Sequence, residues 1–396
     1  MNQPSIIVEG AEMYTTQNNL TGNRLVGGET DLANATVLDI PIEGKPIWLV
    51  SAPFKGKVFF VAVLDNGNVQ AFKLSAASYE SFDTSPTQLP AGMPPALIVS
   101  DDQLELLSPP DGASPFTNPI LVNGNLGYIA SNGDLVMNTS KSQTRLPINA
   151  LLDSRILVNE NNRLIVLTQP TTRYDHGIAG DDLEASAIML LETEPELRVI
   201  QTITIADLDV IEGISAIWTD IDNDGARDII VTLSNNITGA RIVAYREDGT
   251  LLAESEPIGL GHRWRHQIAL AQFEPNEPPL LVDVRTPHIG GIVEFLEFND
   301  GKLVSVREYK GFSTHSIGSR NLDSALAGDF NNDGIIELLA PDQRHINLSI
   351  ISMDGAVATL PLDSVLTSNL TATELEGKLY VGAGTDGKLR VWIPNH

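Results

Sequence analysis

Short apolar runs bounded by turn residues recur along the whole chain, while apolar positions at helical three-to-four spacing are nearly absent. Ile47-Trp-Leu-Val50, Val58-Phe-Phe-Val-Ala-Val-Leu64, Leu164-Ile-Val-Leu167, Ile229-Ile-Val231 and Leu280-Leu-Val282 are typical. Many short strands of this kind predict a sandwich, a barrel or a propeller. The turn spacing chooses among them. Asn/Asp-Gly hairpin signals fall at Asn66-Gly67, Asn132-Gly133, Asp248-Gly249, Asp300-Gly301, Asp354-Gly355 and Asp386-Gly387, and Leu191-Glu-Thr-Glu-Pro-Glu-Leu-Arg198 supplies a seventh turn. From Asp248 to Asp354 the steps are 52 and 54 residues, the size of a four-stranded blade with a long loop. The expectation is one all-β domain over residues 1–396, a β-propeller of seven blades. Eight is the alternative, because 88–140 holds either one irregular blade or two short ones. The last segment, Lys378 to Trp392, stops soon after its final hairpin, and an open edge strand templates aggregation. Pairing of N- and C-terminal strands is therefore expected to close the ring, with Ser5-Ile-Ile-Val8 as the closing strand.

Charge changes the picture next. The formal net charge is −26, which argues against nucleic acid or an anionic membrane as a partner. There are no cysteines, so disulfides, thiolate metal sites and thiol nucleophiles are excluded together. No apolar stretch reaches the ~18 residues that span a bilayer, and Met1-Asn-Gln-Pro-Ser has no signal-peptide pattern.

Two acidic loops carry specific chemistry. Asp220, Asp222, Asp224 and Asp228 stand at positions 1, 3, 5 and 9 of a loop with Gly225 at position 6, and the carbonyl of Ala226 at position 7. Asp329, Asn331, Asp333, the carbonyl of Ile335 and Glu337 repeat the pattern around Gly334. Carboxylates on alternate residues of a tight loop converge on one point, as a hard cation with oxygen ligands requires. An EF-hand is excluded, because position 12 is Val231 or Ala340 and the following residues read as strand. The Asp-x-Asp-x-Asp-Gly-x-x-Asp pattern between two strands resembles the FG-GAP/VCBS repeats of integrin-α-type propellers over 213–345. That resemblance implies Ca²⁺ in both loops, between the first and second strands of a blade. Ions of this class stabilise the fold, and millimolar-range affinity points to an extracytoplasmic location. The first loop has four carboxylates against three and is expected to bind more tightly, with Arg227 offsetting part of the difference. Gln272 to Glu277 has lost the pattern and is expected to hold no ion.

If the ion loops join first and second strands, the other face of the propeller carries the second-to-third turns and the connections between blades. His176, His288 and His345 fall in such turns, and His262, His266 and His315 in such connections. Arg173, Arg263, Arg265, Arg285, Arg320 and Arg344 accompany them, with Tyr174 beside His176. The insert at 170–186, with Gly177 and Gly180, is expected to fold over the mouth of the central channel. Three readings of this face follow: residues that only satisfy backbone groups, a pocket for an anionic small molecule, saccharide or partner protein, and a further metal site on the histidines. A polysaccharide lyase or hydrolase using Tyr174, His176, Arg265 and His315 is the enzymatic alternative to an exported binding module, and a purely structural surface module is the other. No nucleophile elbow, P-loop, dinucleotide fingerprint or zinc-protease motif occurs.

Overall fold

The computed structural model describes residues 10–140 and 142–395. The described chain is all-β, and among these residues no helix is long and apolar enough to cross a membrane. The strands form consecutive antiparallel units: 46–81, 96–106, 120–147, 157–204, 217–255, 265–310, 326–361 and 366–393. Numbered in that order, the first and the third to seventh units contain four-stranded meanders of their own chain stretch. The other two are completed by the N-terminal region. Glu12–Thr15 pairs with Ala96–Val99 in the second unit, and Thr36–Pro41 pairs with Lys388–Ile393 in the eighth. The expected closing strand at Ser5–Val8 lies outside the described residues.

Successive units pack face to face through apolar side chains. One buried cluster joins Trp218 and Ile229 of the fifth unit to Ile188 and Leu190 of the fourth, and another joins Phe295 of the sixth to Leu338 of the seventh. A cluster of the same kind joins Leu389 and Val391 of the eighth unit to Phe60 and Phe72 of the first. The first strands of neighbouring units also touch, as Leu366–Leu375 does Pro46–Phe54 and Arg265–Ala271 does Leu326–Asp329. They line the middle.

Residues 16–32 run through that middle. Leu20 and Thr21 carbonyls accept the N–H groups of Val158 and Trp218, and Arg24 N–H donates to Ile268. The Arg24 carbonyl accepts from Ala327, and Thr30 N–H donates to Asp329. The segment is thus hydrogen-bonded to units four to seven in turn. Arg24, 4% exposed, donates from Nε to the Ala325 carbonyl at 3.0 Å and from Nη2 to the Asp323 and Leu370 carbonyls at 2.8 and 3.1 Å. The Asp323 carboxylate lies 3.7 Å from Arg24 and 3.3 Å from Arg155.

The turn dipeptides used to read the repeat fall into two classes. Asp248-Gly249, Asp300-Gly301 and Asp354-Gly355 join third to fourth strands, whereas Asn66-Gly67, Asn132-Gly133 and Asp386-Gly387 join second to third. An Asn/Asp-Gly pair supplies the backbone a tight turn needs and does not specify which strands it joins. The awkward stretch 88–140 resolves into the hairpin of the second unit and the first three strands of the third.

Candidate functional site

Both acidic loops join the first and second strands of their units, the fifth and the seventh. Most of their internal bonding is the same; the second adds a bond from Asn331 Nδ2 to Asp333 Oδ2 at 2.9 Å. Asp220 accepts the N–H groups of Asp224 and Gly225, as Asp329 accepts those of Asp333 and Gly334. Asp224 and Asp333 each accept from the residue at position 7, Ala226 or Ile335. Asp228 Oδ2 accepts from Ile221, as Glu337 Oε2 does from Phe330. Asn223 and Asn332 both take a left-handed φ, 58° and 62°, followed by Gly225 and Gly334 at 86° and 84°, which turns the chain around one point. Ligand atoms of Asp220, Asp222 and Asp224 lie within 4.8 Å of one another. Asp228 Oδ1 is buried and has no hydrogen-bond partner, which leaves it open to a cation. The donor set fits a hard cation.

Sequence reasoning missed one participant. Arg246, on the third strand of the fifth unit, lies 2.7 Å from Asp222 and 2.5 Å from Asp224. Arg227, singled out from the sequence, turns instead to Glu160 and the Trp218 carbonyl. The signal was available: Arg246 stands two residues before the Asp248-Gly249 turn, which sets it opposite Asp228.

On the other face, second-to-third turns bond to the connections between units, as Gly311 N–H does to the Gly291 carbonyl and Ile258 N–H to that of Ala240. Five histidines gather there around Trp264. His266 and His288 stack on the indole with ring centroids at 4.7 and 6.0 Å, and His315 meets its edge at 5.1 Å. His288 Nε2 and His315 Nδ1 share a hydrogen bond of 2.7 Å, and His315 Nε2 donates to the Ser319 carbonyl. His176 stacks on His262 and is bonded to Glu212, whose carbonyl accepts the Trp264 Nε1–H. Tyr174 is 3% exposed and meets both of these rings edge-on; burial, with the Glu212 and Glu184 charges, raises its pKa. Glu184, buried and accepting from Gly213 N–H, is raised well above the carboxylate range by burial and the neighbouring Glu212. His345 stands apart from these rings. The 170–186 insert covers the group: Ile178 accepts from Gly318 N–H across the middle, and a Cβ on Gly180 would sit 2.8 Å from the Gly318 carbonyl oxygen.

The arginines are largely spoken for. Arg265 is bound between Asp283 and Glu294 at 2.8 and 2.9 Å, and Arg285 between Glu294 and Glu308. Arg173 donates to the Asp209 and Ala206 carbonyls. Arg320 pairs with Asp153 and Asp181 and lies 4.2 Å over the Phe116 ring. Arg263 and Arg344 are exposed, Arg344 with Asp342 at 3.8 Å. Tyr174, His176, Arg265 and His315, the set named for an enzyme, are absent from the lining of the cleft formed by Lys45, Trp48, Phe116, Arg320 and His345. Among the described residues, the group of three possible ligands within 4.8 Å is the aspartate set of the first loop, and the histidine nitrogens form no such group.

Burial holds His266, His288 and His315 neutral. It lowers His288 to about 4 and His315 to about 3, the Ser319 hydrogen bond opposing the shift at His315 and the nearby histidines adding to it at both. Burial also takes His266 well below its ordinary value. Above the unfolded value of about 6.5 both states are neutral; below it the unfolded chain takes up protons that the folded chain refuses. Stability is therefore expected to fall from pH 6.5 towards pH 4, by about 1.4 kcal/mol per pH unit for each such histidine. Urea denaturation at pH 7 and pH 5 measures this. A His288→Gln/His315→Gln protein should show a shallower pH dependence, and an unchanged slope contradicts the assignment.

The cleft itself has a volume of about 420 Å³ and lies on the same face. Lys45, Arg320 and His345 supply its basic groups, Trp48, Phe116 and Leu366 its apolar walls, and Ser316, Ser319, Ser324, Thr367 and Ser368 its hydroxyls. No carboxylate lines it. Around it, exposed apolar side chains stand on turns and connections of the same face: Leu183 and Leu208, Ile237 and Leu260, Ile289 and Ile317, then Val365, between 40% and 71% exposed. The remaining exposed large apolar residues, Val37, Tyr79, Leu251, Val304 and Val357, lie on outer strands.

Fold and topology define a β-propeller-like protein. Similar solved structures are the quinohemoprotein alcohol dehydrogenase of Comamonas testosteroni (TM-score 0.58, 10% identity, 96% of this chain and 81% of that one) and quinohemoprotein alcohol dehydrogenase ADHIIG of Pseudomonas putida HK5 (0.57, 10%, 100% and 82%). BBS1N in complex with ARL6DN is also similar (0.51, 10%, 91% and 98%). At this identity the likeness shows the fold alone. No protein-family model and no curated protein sequence matches the chain.

Proposed function

We propose that this protein is an eight-bladed β-propeller binding module of FG-GAP/VCBS type, whose cleft opposite the ion loops takes an anion with an apolar part. Each unit is one blade, and Thr36–Pro41 on Lys388–Ile393 closes the ring. Bound Ca²⁺ supplies charge neutralisation to the two acidic loops; the chain's own carboxylates and turns supply the cradle. Loops of this type bind Ca²⁺ in the range of about 10⁻⁴–10⁻³ M, and filling them calls for an extracytoplasmic setting.

The observation that carries the ligand reading is the lining of the cleft. In a chain of net charge −26 it holds Lys45, Arg320 and His345 and no carboxylate. Arg320 is already neutralised by Asp153 and Asp181, and Lys45 has no ion-pair partner among the described residues. One free positive charge beside Trp48 and Phe116 suits a single carboxylate on an aromatic or aliphatic body better than a polyanion.

Calorimetric titration with 4-phenylbutyrate and with its uncharged amide tests this. The acid is expected to bind and the amide to bind more weakly. Lys45→Ala should weaken the acid about fivefold, since an exposed ion pair is worth about 1 kcal/mol. Equal binding of acid and amide contradicts the reading. A second reading, a partner protein docked on this face, is favoured by the apolar residues on its turns and connections. The same titration separates the two, because a face built only for docking gives no saturable heat with the acid.

A further inference from the structure

The two acidic loops share most of their hydrogen bonds but differ at position 3, Asp222 against Asn331, and at one position across the sheet. Asp228 lies directly opposite Arg246. In the seventh unit Leu338 lies opposite Ile351, which sets Glu337 level with Ser352. The first loop therefore has four carboxylates and one guanidinium, the second three carboxylates and none. Four less one is three, so the local charge is equal. The extra aspartate confers no net attraction for a cation.

Geometry separates them further. Arg246 Nη2 and Nη1 hold the Oδ2 atoms of Asp222 and Asp224 at 2.7 and 2.5 Å, and Nη1 lies 3.9 Å from the partnerless Asp228 Oδ1. The guanidinium reaches three of the four carboxylates that would surround an ion. We propose that Arg246 is a built-in counter-ion of the first loop that competes with the divalent cation. The second loop is then the tighter site, and the first is a weaker site that fills only as ion concentration rises. This rests on the ion reading given above. It also reverses the ranking that a count of carboxylates suggests.

Two consequences follow from the chemistry. Without ion, the first loop keeps its shape because Arg246 neutralises it, whereas the second has only the neutral Asn331 amide, 2.9 Å from Asp333 Oδ2. On filling, Asp222 and Asp224 must release the guanidinium, and that exchange weakens binding.

Calcium chloride titrated calorimetrically into the metal-stripped full chain tests the proposal, using the native protein, Arg246→Gln and Asp333→Asn. The native protein is expected to show two classes of site. Arg246→Gln should tighten the weaker class on the order of tenfold and leave the tighter one unchanged, since it removes a unit charge within about 4 Å. Asp333→Asn should abolish the tighter class. In chelator, Arg246→Gln should melt below the native protein, and in Ca²⁺ the two should converge. Unchanged or weakened binding in Arg246→Gln overturns the role of Arg246 while leaving the ion sites standing. Absence of heat in both proteins overturns the ion reading and the proposal with it.

Discussion

Adding about 10 mM Ca²⁺ to metal-stripped protein is expected to raise its melting temperature by about 3–7 °C. Modules of this type bind at about 10⁻⁴–10⁻³ M, so each filled loop contributes about 1.4–2.7 kcal/mol at that concentration. Two loops give about 3–5 kcal/mol. Unfolding entropy of about 2.1 cal/mol/K per residue over 396 residues converts each kcal/mol into about 1.2 °C. The physical source is repulsion among clustered carboxylates. Burial and the neighbouring aspartates push Glu337 up to about 7 and Asp228 up to about 6, which marks the cost of leaving these oxygens without a cation. Scanning calorimetry with Ca²⁺, Mg²⁺ and chelator measures the effect. No shift with Ca²⁺, or an equal one with Mg²⁺, contradicts the assignment.

Arg24→Ala is expected to cost about 3–5 kcal/mol of folding stability, the largest effect of a single substitution that we anticipate. Arg24 ties the axial segment to the middle of the ring through the Ala325, Asp323 and Leu370 carbonyls. Burial pulls its pKa down to about 10, so it remains charged at neutral pH, with the Asp323 carboxylate opposing that shift. Its removal leaves those carbonyls without their donor and halves the positive charge facing buried Asp323, where Arg155 alone remains. The urea midpoint of the variant at pH 7 measures the loss. A cost below about 1 kcal/mol would mean that the axial segment is a passive filler.

The β-rich fold and the place and turn of the two acidic loops were legible because their signals are local. Strands show as runs of apolar residues between turns, and the nine-residue loops need particular residues at fixed offsets. The axial course of residues 16–32 was not legible. It is held by long-range backbone bonds, such as Thr21 to Trp218, and these leave no periodicity in the sequence. That six histidines share one face was anticipated from their place on second-to-third turns and connections; that five of them cluster was not. Nor was their focus on Trp264, because an apolar residue among Gly261-His-Arg-Trp-Arg-His266 reads as ordinary core. The basic character assigned to Arg265, Arg285 and Arg320 is cancelled by Asp283 and Glu294 from neighbouring strands of the same unit, and by Asp153 from a distant stretch of chain. Lys45 passed unnoticed because it lies far in sequence from every histidine, on the connection into the first unit.

The most direct test of the account is a crystal of the Ca²⁺-loaded protein soaked with 4-(4-bromophenyl)butyrate, with bromine and calcium located by anomalous scattering. The account predicts calcium within both acidic loops and bromine in the cleft beside Trp48 and Phe116, with the carboxylate at Lys45. Bromine absent from that cleft, or found on the face that carries the acidic loops, would contradict it.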